Sequence, residues 1–340
     1  MKATVADVAR EARVSVATVD RVLNRRPGVR PMTVERVEIA VRKLNYQPDR
    51  LAARLARGRE YRFCFVLPTG SNSFMQQLRR EVEAAASRYA ADRITISARL
   101  TDVFDPKALA GTLLGLGEEF DGIAVVALDH PRVREAIDRL AAAGISVVTL
   151  VSDMPGAGRA HYVGIDNSAA GRTAATLLGR FLAGRKGSVG VIAGSLGLRD
   201  HVERLYGFNQ VLSSDFRTLS VLSPREARDD WRKVRATTLK LIEETPNLVG
   251  LYNAGAGNRG VVQALEETGR ARDIVFIAHE LTPHSRAALI AGAIDAVINQ
   301  DAGHEVRSAV RVLTASVDRM PIVPEQERIR IDVFLPHNLP

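Results

Sequence analysis

Apolar residues near the start of the chain recur at helical spacing in three short segments. The first segment follows Thr4, a residue type that caps helices, and covers residues 5–12. The second follows Ser15 and covers residues 16–24. The third opens at Pro31, which suits a first helical turn. Three short helices joined by tight turns predict a helix-turn-helix unit.

From residue 61 onward, apolar runs of strand length alternate with amphipathic segments of helix length. Eleven runs are predicted strands, at residues 61–67, 93–100, 122–128, 145–151, 161–166, 187–194, 217–222, 248–254, 273–279, 294–300 and 328–334. Such alternation favours parallel sheets covered by helices on both faces, and eleven strands are too many for one small sheet. We therefore expect an α/β body of two doubly wound lobes behind a helical headpiece.

The charge of the chain is concentrated at its start. Residues 1–62 hold 15 Lys and Arg against 7 Asp and Glu, a net charge of +8 that equals the net charge of the whole chain. A basic segment in front of a neutral body is typical of a module that binds a polyanion such as nucleic acid.

Length and composition narrow the class of protein further. A chain of 340 residues is long enough for two or three domains with cores of their own. No apolar run approaches the roughly 18 residues of a membrane span, and the N-terminus lacks the apolar centre of a signal peptide. These features predict a cytoplasmic protein without a membrane segment. The single cysteine, Cys64, lies in the apolar run FCFVL and is interpreted as a core residue of a strand.

The chain from Thr4 to Gly58 resembles a known family without a gap. The stretch TVADVAREARVSVATVDRVLNRRPGVRPMTVERVEIAVRKLNYQP, followed by DRLAARLARG, is similar to the headpiece and hinge of the lactose-repressor (LacI/GalR) family of bacterial transcription regulators. The resemblance implies that the second helix enters the major groove of palindromic operator DNA and that a hinge helix folds in the minor groove. The residues that it assigns to DNA binding are Thr4, Ser15, Val16, Ala17, Thr18, Arg21, Asn24, Leu51, Ala52 and Leu55.

The predicted hinge helix, residues 49–57, has only nine residues, too few for a helix that is stable alone. Leu51 and Leu55 share one face, and the small Ala52 permits a close approach. In a homodimer, two such helices would pack through Leu51 and Ala52 and push the Leu55 pair between base steps. DNA and the second subunit would then supply the missing stabilisation.

Three headpiece residues depart from the family pattern. Arg13 stands where Gly or Asn is preferred, which predicts a strained left-handed turn. Arg30 stands where a capping Ser or Thr is usual, and Asp20 replaces a serine beside the DNA backbone. Arg21 suits a bidentate contact with guanine, so we expect specificity to depend on it.

Residues 61–335 resemble the periplasmic-sugar-binding-protein fold that the same family carries, in its ribose-binding branch. Motifs such as FVLPTGSNSFMQQL, YVGIDNSAAGRTAATLL and NAGAGNRGVVQAL carry this resemblance. In that fold the chain crosses between two lobes three times, and the ligand lies between the lobes at the strand ends. The resemblance divides the chain into a headpiece (1–47), a hinge (48–60) and a two-lobed effector-binding and dimerisation domain (61–340), with one lobe at about 61–160 plus 293–325 and the other at about 161–292 plus 326–340.

Nine residues at positions matching those motifs form the candidate effector pocket. They are Asn72, Phe74, Ser152, Asp153, Arg204, Asn253, His279, Glu280 and Gln300. Carboxylates and amides bind sugar hydroxyls, Arg spans two adjacent oxygens, and an aromatic ring covers the apolar face of a sugar. Val151 stands where a sugar-binding Asp is usual, and His279 and Glu280 replace an aromatic residue and Asp, which favours a ligand other than a simple pentose. We expect Trp231 to pack against a helix. Asp229 is a weaker candidate for the effector pocket than these nine residues.

An alternative function rests on GAGNRG, Gly255 to Gly260. The segment fits the G-x-G-x-x-G pattern, follows a predicted strand and opens a helix, with Glu280 ending the next strand, so an NAD(P)-dependent oxidoreductase is the alternative. The segment lies late in the chain, however, and a DNA-binding headpiece is not expected in a dehydrogenase. His279 and His284 are separated by Pro283 and cannot share a helical face as zinc ligands do. We therefore expect no catalysis, no metal and no cofactor.

These features together predict a homodimeric repressor controlled by a small sugar or polyol. Binding of that effector would change the angle between the lobes, and hence the spacing of the two hinge helices on DNA.

Overall fold

The computed structural model describes residues 3–23, 27–46, 59–182 and 184–340. The chain divides into two compact units, residues 1–60, here called the head, and residues 61–340, here called the body. The predicted hinge helix lies outside the described residues. Within the described part of the chain, no helix has both the length and the apolar character needed to cross a bilayer.

The head consists of the helices α1 (Val5–Ala12), α2 (Val16–Leu23) and α3 (Pro31–Lys43). Thr4 begins α1 with a capping box, in which the Asp7 carboxylate accepts from the Thr4 N–H at 2.9 Å and the Asp7 N–H donates to Thr4 Oγ1 at 3.3 Å. Arg13 follows α1 with a φ of 52°, the left-handed conformation that its position predicts. Arg30 precedes α3 without a side-chain cap.

The core of the head is small and apolar. Its buried residues are Val8, Ala9, Ala12, Val19, Val37, Ala40 and Tyr46. Ile39, an apolar residue of α3, is 50% exposed. Val37, Ala40 and Leu44 recur at helical spacing and form the inner face of α3. Ile39 does not lie on this face.

The first sheet of the body has five parallel strands in the order β2-β1-β3-β4-β5. The strands are β1 (Tyr61–Pro68), β2 (Ile94–Thr101), β3 (Gly122–Val125), β4 (Ser146–Leu150) and β5 (His161–Val163). The helices α4 (Ser73–Tyr89), α5 (Pro106–Gly115) and α6 (Pro131–Ala142) connect them. Residues 63–67 of β1, which include Cys64, are all buried, as expected of a strand covered on both faces.

The second sheet has the order β12-β11-β10-β9-β6-β7, with β8 paired to β6 and β12 antiparallel at the edge. Its strands are β6 (Gly187–Ala193), β7 (Leu219–Val221), β8 (Arg225–Glu226), β9 (Leu248–Asn253), β10 (Val275–His279), β11 (Ala296–Asn299) and β12 (Asp332–Phe334). The remaining helices are α7 (Asn167–Phe181), α8 (Arg199–Asp215), α9 (Trp231–Glu244), α10 (Asn258–Glu267), α11 (Pro283–Ala291), α12 (Ala302–Val317) and α13 (Pro324–Glu327). The predicted α/β fold of two doubly wound lobes is confirmed, with the two-residue β8 as an unexpected strand.

Two lobe boundaries differ from those expected. β5 pairs with β4, so the first lobe continues past residue 160. β11 pairs with β10 and β12, so residues 296–299 belong to the second sheet rather than the first lobe. The chain returns to the first lobe only with α12, which packs on β4 and β5. The sheet to which a strand belongs depends on backbone hydrogen bonds to distant strands, which the apolar pattern of the strand does not reveal.

Candidate functional site

The helix α2 leaves one surface of the head accessible. Val16 is 51% exposed, and Ala17 and Arg21 are exposed beside it. Ser15 begins the helix, because its Oγ accepts from the Thr18 N–H at 3.2 Å and lies 2.9 Å from Thr18 Oγ1. Val16, Ala17 and Arg21, which the family resemblance assigns to DNA binding, therefore share an accessible surface. The predicted contacts Asn24, Leu51, Ala52 and Leu55 lie outside the described residues.

In the body, a close helix crossing positions Arg204, which is 3% exposed. A Cβ on Gly171 of α7 would lie 1.9 Å from the Arg204 carbonyl oxygen on α8, so glycine is required there. Arg204 Nε donates to Asn167 Oδ1 at 2.8 Å, and Nη1 donates to the Ala254 carbonyl at 2.9 Å. Its Nη2 has no hydrogen-bond partner among the described residues and lies 3.8 Å from Glu280 Oε1.

Glu280 follows β10 with a left-handed φ of 69°. Its N–H donates to the Ile298 carbonyl at 2.8 Å, and Gln300 Nε2 donates to its Oε1 at 2.7 Å. Burial raises the pKa of Glu280 to about 7, although Arg204 and Gln300 act in the opposite direction. Four buried atoms of this group lack hydrogen-bond partners among the described residues: Asp200 Oδ1, Arg204 Nη2, Glu280 Oε2 and Gln300 Oε1. Hydroxyl groups, which both donate and accept, are complementary to such a set.

These side chains line a small cavity between the two sheets, here called the Arg204 cavity. Its volume is about 30 Å³, close to the share of one water molecule in the liquid. Asn72 Nδ2 donates to Asp229 Oδ2 at 3.1 Å along its lining, and Asp229 Oδ1 accepts from the Ala256 N–H at 2.9 Å. Asn72 begins α4 of the first lobe and Asp229 follows β8 of the second, so this bond joins the lobes. Five predicted pocket residues line the cavity: Asn72, Phe74, Arg204, Glu280 and Gln300.

A second cavity of about 190 Å³, here called the Arg259 cavity, shares Phe74 and Glu280 with the first. The predicted pocket residue His279 also lines it. Trp231, which we expect to pack against a helix, also lines this cavity, with the Arg259 guanidinium 4.4 Å from its ring centroid. Trp231 is the first residue of α9, where helical periodicity does not show which way a side chain points.

Three predicted pocket residues line neither of these cavities. Ser152 is buried, and its Oγ accepts from the Arg199 N–H at 3.2 Å. Asp153 pairs with Arg159, whose Nη2 lies 2.7 Å from Asp153 Oδ2. Asn253 hydrogen-bonds to the turn that follows β9. Each residue lies close to a strand end as predicted, but a nearer polar partner occupies its side chain.

Three residues that our sequence analysis did not select contribute to the site. Asp200 and His201 are in the first turn of α8 and line the Arg204 cavity. Glu305, in the first turn of α12, is 0% exposed, and neither carboxylate oxygen has a hydrogen-bond partner among the described residues. Burial, and then the nearby Glu280, raise the pKa of Glu305. Acidic residues are common in the first turn of a helix, because they interact favourably with the helix dipole. The sequence pattern therefore did not separate Glu305 from an ordinary first-turn acidic residue.

The GAGNRG segment forms the turn from β9 into α10. Gly257 has a left-handed φ of 89°, and a Cβ on Gly260 would lie 2.1 Å from the Trp231 carbonyl oxygen. A Cβ on Gly255 would lie 2.6 Å from Asp229 Oδ1. Turn conformation and the close packing of α10 on α9 therefore account for these glycines without a dinucleotide.

We expect Gly260→Ala to lower the free energy of unfolding by about 1–3 kcal/mol, because the added methyl group displaces α9 backbone. Gly111→Ala on α5 is the matched control, since nothing lies within 4 Å of its added Cβ, and it should stabilise by roughly 0.5–1 kcal/mol. Urea unfolding followed by circular dichroism measures both. Equal effects at the two positions would contradict the packing role of Gly260.

Comparison with known families and proteins agrees with this architecture. Residues 63–319 match the periplasmic binding protein domain, and residues 4–49 match the bacterial regulatory proteins of the lacI family. Catabolite control protein A of Staphylococcus xylosus is 40% identical over 123 residues, which cover 36% of each chain. The protein of the same name from Priestia megaterium is 33% identical over 152 residues, 45% of this chain and 44% of the relative. The aligned regions thus span less than half the length of these relatives.

Solved structures similar to this chain include proteins that bind sugars. GanP, a glucose-galactose binding protein from Geobacillus stearothermophilus, has a TM-score of 0.75 at 20% identity over 83% of this chain and 99% of its own. A solute-binding protein of Burkholderia graminis in complex with D-arabinose has a TM-score of 0.74 at 22% identity over 82% of this chain and 96% of its own. Neither these proteins nor the relatives above support the oxidoreductase alternative. The chain belongs to the periplasmic binding protein domain family, and its residues 4–49 are the helix-turn-helix domain of a bacterial regulatory protein of the lacI family.

Proposed function

We propose that the protein is a cytoplasmic homodimer that binds palindromic double-stranded DNA through its heads and a small sugar or polyol through its bodies. It acts as a repressor and not as an enzyme. One observation carries this proposal: a single chain joins a basic head with an accessible α2 surface to a body in which buried polar atoms, unpartnered among the described residues, meet between two sheets. The first element suits DNA, and the second suits a small polar ligand.

The size of the Arg204 cavity indicates how such a ligand acts. A cavity of about 30 Å³ is too small for a sugar ring, so binding requires the lobes to separate or rotate. Few polar contacts oppose this motion. Beside the Asn72–Asp229 bond, Arg228 lies 3.3 Å from Asp102 and Arg199 lies 3.6 Å from Asp129; exposed ion pairs of this kind contribute little. Two backbone N–H groups also donate across the lobes, that of Arg199 to Ser152 Oγ at 3.2 Å and that of Asp129 to the Gly197 carbonyl at 3.2 Å. A ligand therefore needs only modest binding energy to shift the lobe angle.

The proposed function is tested by fluorescence anisotropy of the purified protein with duplex DNA from the region upstream of its own coding sequence. Because the head must displace counterions from phosphates, we expect the affinity to fall steeply and log-linearly with salt concentration. Scrambled duplexes should bind more weakly, with a similar salt dependence. Absence of salt-sensitive affinity for any duplex would contradict the DNA-binding role.

Arg21→Ala should weaken binding to the specific duplex by about tenfold to a hundredfold, because a bidentate contact with guanine contributes roughly 1–3 kcal/mol of discrimination. Binding to scrambled DNA should change little. Arg36→Ala, an exposed residue on α3, removes the same charge from another part of the head and should weaken both duplexes equally. The same anisotropy titrations measure the ratio of affinities, and an unchanged ratio in Arg21→Ala would remove Arg21 from base recognition.

A further inference from the structure

We propose that the effector carries an oxyanion in addition to its hydroxyl groups, and that this anion binds in the Arg259 cavity. The inference deepens the proposed function, on which it rests, by naming the ligand class: a sugar or polyol bearing a phosphate ester or a carboxylate. In this arrangement the hydroxyl groups face the Arg204 cavity, and the oxyanion lies at the neighbouring set of donors.

Four helices begin around the Arg259 cavity. Ser73 of α4, Trp231 of α9, Asn258 of α10 and Thr282, which caps α11, all line it. The N-terminus of each helix carries partial positive charge, which favours anions, although the side chains of Asn72, Asp230 and Thr282 cap α4, α9 and α11. The N-terminus of α10 is the most available of the four to an anion. Its N-cap is Gly257, so no side chain accepts from the N–H groups of its first turn.

Side chains add donors to these helix ends. The Arg259 guanidinium stacks on Trp231, and among the described residues it forms no ion pair with a carboxylate. Ser71, Ser73 and Thr282, whose side chains carry hydroxyl groups, also line the cavity. An arginine that is oriented by an aromatic ring but lacks a carboxylate partner is available to an external anion.

His279 provides an independent indication of a ligand. It is 1% exposed, lines the cavity, and its Nδ1 has no hydrogen-bond partner among the described residues. Burial lowers the pKa of His279 well below its usual value and raises the pKa of Tyr252, so the imidazole is neutral and the phenol keeps its proton. The Tyr252 hydroxyl lies 2.8 Å from His279 Nε2; when it donates there, the imidazole proton is on Nδ1. In that tautomer His279, a residue that lines the cavity, holds a buried N–H donor without an acceptor among the described residues.

Glu280 is the only carboxylate residue among those that line the Arg259 cavity. Its Oε1 is held on the other side, where Gln300 donates to it at 2.7 Å and Arg204 Nη2 lies 3.8 Å away, while its Oε2 has no hydrogen-bond partner among the described residues. Donors thus predominate in the Arg259 cavity, whereas unpartnered acceptors predominate in the Arg204 cavity. A ligand with hydroxyl groups at one end and an oxyanion at the other is complementary to both.

The test compares three forms of the full-length protein by isothermal titration and thermal shift: wild type, Arg259→Met and Arg232→Met. Arg232 is the matched control, because its guanidinium lies 4.5 Å from the same Trp231 ring but it is not among the lining residues of the cavity. The probes are sodium phosphate and sodium sulfate against sodium chloride at equal ionic strength. Matched sets of glucose with glucose 6-phosphate and glucuronate, and ribose with ribose 5-phosphate, distinguish a phosphate ester from a carboxylate.

We expect saturable binding of phosphate, and tighter binding of at least one anionic sugar than of its neutral parent. Arg259→Met should weaken anion binding by about tenfold to a hundredfold, as the loss of one charge-assisted hydrogen bond does, while Arg232→Met should leave it unchanged. The proposal is overturned by no saturable effect of phosphate or sulfate, by neutral sugars that bind as tightly as their anionic forms, or by equal effects of the two variants. In each of these cases salt-sensitive DNA binding and binding of neutral sugars would still support the proposed function, so the two failures are distinguishable.

Discussion

Replacing Arg204 with alanine should lower the free energy of unfolding of the body by about 3–5 kcal/mol, the typical cost of removing one partner from a buried ion pair. Arg204 is the cation nearest to Glu280, and it also lowers the pKa of Glu305. Its removal leaves these carboxyl groups buried without a compensating charge. It also removes the hydrogen bonds to Asn167 and the Ala254 carbonyl that join α7, α8 and the end of β9.

Chemical denaturation at several pH values measures this effect, with Arg180→Ala, an exposed position on α7, as the control. We expect Arg180→Ala to change stability by no more than about 0.5 kcal/mol. Because protonation neutralises the carboxyl groups that Arg204 faces, the loss in Arg204→Ala should be smaller at pH 5 than at pH 8. A loss in Arg204→Ala no larger than in the control would show that the buried group does not depend on this cation.

Glu280→Gln should raise the stability of the protein at pH 8 by about 3 kcal/mol and change it little at pH 5. The pKa of Glu280 is raised from 4.5 to about 7 by burial, and a pKa difference of one between the folded and unfolded states corresponds to roughly 1.4 kcal/mol. A carboxyl group with a raised pKa in the folded state contributes stability below its unfolded pKa, and this contribution is lost as the pH rises through its folded pKa. The wild type should therefore lose stability between about pH 4.5 and pH 7, and glutamine, which resembles the protonated carboxyl group, should avoid the loss.

Urea unfolding across pH 4.5–8 gives the slope of stability against pH for Glu280→Gln and for Glu118→Gln, an exposed control on the first lobe. The control should keep the wild-type slope. Glu305→Gln should flatten the slope in the same direction, because the pKa of Glu305 is also raised. Identical slopes in Glu280→Gln and in the wild type would show that Glu280 does not titrate in this window.

The two predictions share a functional consequence. Buried charges that are only partly compensated destabilise the arrangement in which the lobes are close, and a ligand that donates to Asp200, Glu280 and Gln300 would relieve that cost. Under the proposed function, ligand binding would recover this stability and so couple effector recognition to the lobe angle.

Part of the candidate site could be predicted from residue type and position. Glu280 and Gln300 meet at one cavity, as expected of polar residues at strand ends in a doubly wound fold, and Arg204 reaches the same cavity from helix α8. Ser152 and Asp153 satisfy the same rule, yet the Arg199 N–H and the Arg159 guanidinium occupy their side chains. A position at a strand end determines the edge of the sheet, but the direction of a side chain depends on the nearest partner, and that partner comes from a distant part of the chain.

The sequence by itself determined the three helices of the head, the basic charge that accompanies them and the succession of strands and helices in the body. These depend on local patterns: helical and strand periodicity, capping residues and the placement of charge. Only the tertiary structure decided that β11 joins the second sheet, that Trp231 faces a cavity and that Glu305 is buried without a hydrogen-bond partner among the described residues. These features arise from contacts between residues far apart in the chain, and a local pattern contains no information about which distant residues will meet.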